Sequence, residues 1–170
     1  MAQQRGASPA ACRTAYPSRH PPARAISAWK TNVSKDGSFK LGFDWSSNSF
    51  GIWFTNSMCD TFPVWEPDKN YSIMDPQSAS LTLLEDGTLQ LLNDDSLLWS
   101  THYVKKTSIS VVLVLLEVGN LVIRDEENDS MVLWQSVDYP TDTILPGGGL
   151  GFNKFTGKNI SLLHLSLILL

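Results

Sequence analysis

The chain has 170 residues, 42% of them hydrophobic, and a formal net charge of -4 at neutral pH. That length supports one domain able to bury roughly two thirds of its unfolded surface, and leaves no room for a second full one. Every acid lies at or beyond Asp36, so the acidic body excludes nucleic acid as a partner, and the two cysteines, Cys12 and Cys59, read as unpaired and supply neither a disulfide framework nor a zinc site.

Residues 1–30 are rich in Ala, Arg, Ser and Pro and show neither a period of 2 nor of 3.6. They read as a disordered basic leader. No apolar run of about 7–15 residues is present there to act as a secretory signal. The composition is closer to an organelle transit peptide, and a wrongly joined first exon is the favoured alternative.

Residues 31–158 change character. Short apolar runs are broken by Asp-Gly, Ser-Ser-Asn and Asn-Asp-Asp clusters, and no amphipathic stretch of helical length occurs. This is an all-β pattern. Strands are predicted at 38–43, 50–55, 63–66, 80–84, 88–92, 97–101, 111–117, 120–124 and 131–135. Pro67 cannot donate to a ladder, so the strand at 63–66 is expected to end early or lie on an edge. Residues 159–170 form an apolar tail whose last eleven residues are shorter than the about 20 that span a bilayer.

Three segments share one layout: Asp36-Gly37-Ser38-Phe39-Lys40-Leu41, Asp86-Gly87-Thr88-Leu89-Gln90-Leu91 and Val118-Gly119-Asn120-Leu121-Val122-Ile123. Each opens on a glycine turn and continues as a strand with apolar residues at period 2. A second strand centred on tryptophan follows, at Trp53, Trp99 and Trp134 respectively. One hairpin cannot bury its own face, whereas three can meet on a common axis. The expectation is a pseudo-threefold all-β unit in which those three tryptophans share a core.

The stretch Trp134-Gln135-Ser136-Val137-Asp138-Tyr139-Pro140-Thr141-Asp142-Thr143-Ile144-Leu145-Pro146-Gly147 reads as a packed corner, with φ set by Pro140 and polar caps from Asp138, Thr141 and Asp142. It resembles the WQSFDYPTDTLLPG signature that closes the bulb-type (monocot mannose-binding) lectin domain of plant S-locus glycoproteins and G-type lectin receptor-like kinases. Lys35 to Phe43, Gly51-Ile52-Trp53-Phe54 and Val118 to Asp125 resemble the same domain, so the likeness runs from about Ser34 to Asn159. It implies a β-prism of three small antiparallel sheets. It also implies a non-catalytic carbohydrate-recognition domain like the start of a receptor-like kinase ectodomain, located outside the cell or at the plasma membrane. Glycans or glycoproteins are the implied partners, a homodimer is compatible with the resemblance, and no cofactor or metal is implied.

Sugar-binding members of that family carry Gln-x-Asp-x-Asn-x-Val-x-Tyr in each repeat. Residues two apart on a strand point to one face, so the polar groups align on adjacent hydroxyls while Val packs on the sugar ring. In this chain the first copy reads Ser34, Asp36, Ser38, Lys40 and Gly42. The second reads Leu84, Asp86, Thr88, Gln90 and Leu92, and the third Leu116, Val118, Asn120, Val122 and Arg124. No copy is complete, so the mannose sites are degenerate, with Asp86 and Thr88 as the best remnant. The alternatives are a protein-interaction module that kept the scaffold for a protein ligand, and a truncated receptor fragment. Asp-Gly turn chemistry explains the same acidic residues without any ligand.

Enzymatic readings find no support: His20, His102 and His164 are scattered, and no Gly-x-Ser-x-Gly, His-Glu-x-x-His or phosphate-loop motif occurs. Glycosylation sequons occur at Asn32, Asn70, Asn128 and Asn159, each at a predicted loop or element end.

Overall fold

The computed structural model describes residues 25–27, 31–44, 47–55, 63–68, 71–101, 110–153 and 158–160. The leader outside 25–27, residues 161–170, both cysteines and all three histidines lie outside them.

Three antiparallel sheets correspond to the three repeats. The first contains β2 (Asn32–Val33), β3 (Phe39–Asp44) and β4 (Ser49–Phe54) in that order. The second runs β1 (Ala25–Ser27), β5 (Ala79–Leu83), β6 (Leu89–Asn93) and β7 (Ser96–Ser100), and the third runs β10 (Val132–Gln135), β9 (Leu121–Asp125) and β8 (Val111–Leu115). A separate hairpin joins β11 (Gly151–Asn153) to β12 (Lys158–Ile160). The expected strands are present within two residues at most ends, except that the segment at 63–66 is reduced to a single bridge between Ile52 and Trp65, in keeping with Pro67. The boundary drawn at residue 30 requires correction. Ala25–Ser27 pairs with β5 in the register Ala25 to Thr82, Ile26 to Leu81 and Ser27 to Ser80. Three residues suffice for a ladder when an edge strand is already in place, and composition does not report that.

The repeat is visible in the hydrogen bonding. Gly37, Gly87 and Gly119 have φ of 79°, 85° and 79°, and their N–H groups donate to Ser34, Leu84 and Leu116 at 2.9, 3.1 and 3.0 Å. Only glycine adopts this conformation without a Cβ penalty. A hydroxyl then accepts the first N–H of the central strand: Thr101 from Leu89 at 2.9 Å, Ser136 from Leu121 at 3.0 Å, and in the first repeat Ser34 from Phe39 at 3.0 Å. All three groups are buried, so each would otherwise be a costly orphan. Gly119 carries a second demand, since a Cβ there would sit 2.8 Å from Cε1 of Phe39, a ring of the first repeat. At Gly37 a Cβ would meet nothing. Gly37→Ala is therefore expected to cost about 1–2 kcal/mol for the left-handed backbone alone, and Gly119→Ala about 1–3 kcal/mol more from overpacking. Urea midpoints of the two variants check this: equal midpoints would mean that Phe39 does not wedge the first repeat against the third.

Period 2 sends Leu81, Leu89, Leu91, Leu121, Ile123, Leu41, Phe50 and Ile52 inward, all at most 1% exposed. At the centre three tryptophans meet edge to face: Trp65 to Trp99 at 6.0 Å, Trp65 to Trp134 at 5.8 Å and Trp99 to Trp134 at 6.0 Å. The trio thus contains Trp65, and Trp53 is excluded from it. The reason is register. In the second hairpin Leu91 pairs with Trp99 but Leu92 with Leu97, which leaves Leu98 as an extra residue. In the third, Ile123 pairs with Trp134 but Arg124 with Val132, which leaves Leu133 extra. The β3–β4 ladder has no such bulge, so Leu41 meets Ile52 and Trp53 falls opposite Lys40. A one-residue difference reverses the face a side chain occupies. Ile52 takes the inward place, and Trp65, bridged to it, supplies the third indole.

Candidate functional site

The three motif copies fall on three different sheets, and the fold uses most of their polar atoms locally. In the first copy Asp36 accepts from Ser34 Oγ at 2.7 Å, Ser38 Oγ at 2.5 Å and Ser38 N at 3.1 Å. These bonds, that from Ser34 foremost, lower the Asp36 carboxyl to a pKa of about 2. In the second copy Asp86 accepts the Thr88 N–H at 2.8 Å, Thr88 is 8% exposed, and Gln90 is half-buried between its partners Thr82 and Ser100. In the third, Val122 is buried and Arg124 is paired with Asp129 at 2.6 Å.

Asn120 has the fullest engagement. Its Oδ1 accepts from Ser136 Oγ at 3.1 Å and Val137 N at 3.3 Å, and its Nδ2 donates to Gln135 Oε1 at 3.1 Å. Gln135 Nε2 donates onward to Asp138 at 3.1 Å. The corner that begins there then reaches back to the first repeat. Trp65 Nε1 donates to the Tyr139 carbonyl at 2.9 Å, Glu66 N donates to Thr141 Oγ1 at 3.0 Å, and the Tyr139 ring stacks on Trp134 at 5.9 Å. The corner is the clasp of the ring, as its sequence implied.

The outward face of β3 is different. Lys40 and Gly42, the last two motif positions of the first copy, line a cavity of about 120 Å³ with Thr31, Phe43, Asp44 and Trp53. The Trp53 indole, itself only 3% exposed, forms part of its wall and donates from Nε1 to the Gly42 carbonyl at 3.4 Å. An ammonium, a hydroxyl and a carboxylate that also accepts from Ser47 Oγ at 2.6 Å, set beside an aromatic edge, can hydrogen-bond the rim of a polar ring. Sequence reading missed Thr31, Asp44 and Trp53 here, although the alternation Ile52, Trp53 carried the signal. Among the described residues, no group of three or more His, Cys, Asp or Glu side chains could hold a metal ion, and no helix is long and apolar enough to cross a membrane.

Of the sequons, Asn128 lies in the exposed turn between β9 and β10, Asn32 in β2, and Asn159 in β12 with its side chain outside the described residues; Asn70 is also outside them.

Comparison with known proteins bears on this arrangement. Residues 62–164 match the family model B_lectin, described as D-mannose binding lectin. A G-type lectin S-receptor-like serine/threonine-protein kinase of Arabidopsis thaliana is 40% identical over 131 residues, covering 71% of this chain and 16% of the kinase. The S-locus-specific glycoprotein S6 of Brassica oleracea is 35% identical over 141 residues, covering 79% of this chain and 32% of that protein. The chain thus spans at most about a third of either relative. The solved Marasmius oreades lectin shares the fold with a TM-score of 0.50 at 16% identity, covering 66% of this chain and 83% of that one. The expected β-prism holds, and the chain belongs to the D-mannose binding, bulb-type lectin family.

Proposed function

We propose that the chain is a non-catalytic recognition domain of a secreted or plasma-membrane protein, that its three mannose motifs are degenerate, and that its glycan-contacting surface is the outer face of β3. The observation that carries this reading is the contrast between the copies. Asp36, Asp86 and Asn120 are held in their own turns or in the corner, while Lys40 and Gly42 of the first copy line a cavity with Thr31, with Asp44, which itself accepts from Ser47 Oγ at 2.6 Å, and with the edge of Trp53. Hydrogen bonds of about 0.5–1.5 kcal/mol each, with two or three missing per copy, amount to most of the about 4 kcal/mol behind a millimolar affinity.

Free mannose is therefore expected to give no saturable shifts at millimolar concentration in an NMR titration. A mannose-rich oligosaccharide is expected to move the amides of Thr31 and Lys40 to Asp44, with the response reduced in Lys40→Met. Saturation by mannose that Asp86→Ala abolishes would return the site to the second motif. Silence towards every glycan would favour a protein ligand on the same scaffold.

A further inference from the structure

We propose that Asn128 is an N-glycosylation acceptor, and that Asn32, a sequon of equal standing in the sequence, is closed. The inference rests on the secretory reading above. Asn128, Asp129 and Ser130 are all exposed at the tip between β9 and β10. Asn128 Oδ1 accepts the Ser130 N–H at 3.1 Å, so the sequon is folded on itself as an Asx turn that brings the Asn amide beside the serine. The hydrogen bonds at this residue use its backbone N, its carbonyl and Oδ1, and leave Nδ2 to solvent. The middle acid, Asp129, is drawn onto Arg124 at 2.6 Å, which offsets its negative charge at the acceptor.

Asn32 differs on each count. It is half-buried in β2, paired with Leu41. The hydroxyl of its sequon, Ser34, is 4% exposed, donates to Asp36 at 2.7 Å and accepts from Phe39 N at 3.0 Å. Once the first repeat folds, that hydroxyl is buried with its proton committed to Asp36, and a transferase or a glycan beside it would have to displace the turn. The turn at Asn128 can carry a bulky polar adduct before or after folding.

The donor is a polyprenyl-pyrophosphate-linked oligosaccharide. A bond forms between Asn128 Nδ2 and the anomeric carbon, the bond from that carbon to the pyrophosphate oxygen breaks, the lipid pyrophosphate leaves, and the amide proton passes to the transferase. To test it, the full chain is expressed behind a heterologous secretion signal in eukaryotic cells, and the secreted protein is treated with peptide N-glycosidase in oxygen-18 water. Heavy aspartate is expected at 128 and not at 32, and Asn128→Gln and Ser130→Ala are each expected to remove one glycan step on a gel, while Asn32→Gln removes none. An unmodified Asn128 in secreted protein, or a glycan on Asn32, overturns the proposal. Because the signal is supplied, those outcomes count against the acceptor assignment, whereas retention of the chain inside its native cells would count against the secretory reading alone.

Discussion

Trp65→Ala is expected to lower the unfolding free energy by about 3–5 kcal/mol, the range for truncating a buried tryptophan, out of a total of about 5–15 kcal/mol for a domain. Trp65 is 2% exposed, holds two indole contacts at 6.0 and 5.8 Å, and ties its Nε1 to the Tyr139 carbonyl at 2.9 Å. The alanine variant loses the burial and also removes the indole donor from the part-buried Tyr139 carbonyl. Trp134→Ala, at 7% exposure and with three ring partners, is expected to fall in the same range. A double-mutant cycle makes the point sharper than either single variant. Trp65 and Trp134 are expected to couple by about 0.5–1.5 kcal/mol, as aromatic pairs in contact do, and Trp53 and Trp134 by nothing measurable. Denaturant midpoints of the five variants and the parent decide it. Coupling at Trp53 with none at Trp65 would mean that the first hairpin carries a bulge after all.

Asn120→Leu is expected to cost about 2–5 kcal/mol, although the substitution keeps the number and branching of the side-chain heavy atoms. Asn120 is 6% exposed and satisfies three partners, and its removal strands the Val137 N–H and the Ser136 hydroxyl proton in a buried setting at about 1–3 kcal/mol each. The Ser136 hydroxyl also holds the Leu121 N–H, so the damage extends into the start of β9. The measurement separates two roles for one residue. A sugar ligand would lose binding at unchanged stability, whereas a brace for the corner loses stability and leaves the lining of the β3 cavity, which does not include Asn120, unchanged. Thermal or urea unfolding that matches the parent would assign Asn120 to a ligand and remove the brace.

Most of the strand ladder could be read directly from the chain, because period 2 is a local property: Ala79, Leu81 and Leu83 alternate with Ser80 and Thr82, and burial follows. The glycine turns were equally legible, since a left-handed φ at Gly37, Gly87 and Gly119 is a constraint each residue states for itself. The family wording of the corner pointed to the prism, and Pro67 leaves the segment before it a single bridge rather than a strand. The very short strands were not legible. Ala25–Ser27 and Asn32–Val33 hold two or three residues each, too few for a period, and exist because an edge strand offers them partners.

Sequence by itself therefore determined the fold class, the number of repeats, the turns and the inward-facing aliphatic residues, all of which follow from interactions within a few positions of each residue. Tertiary structure alone decided which tryptophans meet. The bulges at Leu98 and Leu133 turn Trp99 and Trp134 towards each other, the unbroken β3–β4 ladder puts Trp53 on the opposite face of its sheet beside Lys40, where it is also buried, and Trp65 arrives from a different segment to fill the vacancy. It alone also decided which polar motif residues are engaged, since Asn120 meets Ser136 and Val137 only when the corner folds back. The physical reason is the same in both cases: a strand's two faces are exchanged by a single residue of register, and register is set by the partner strand.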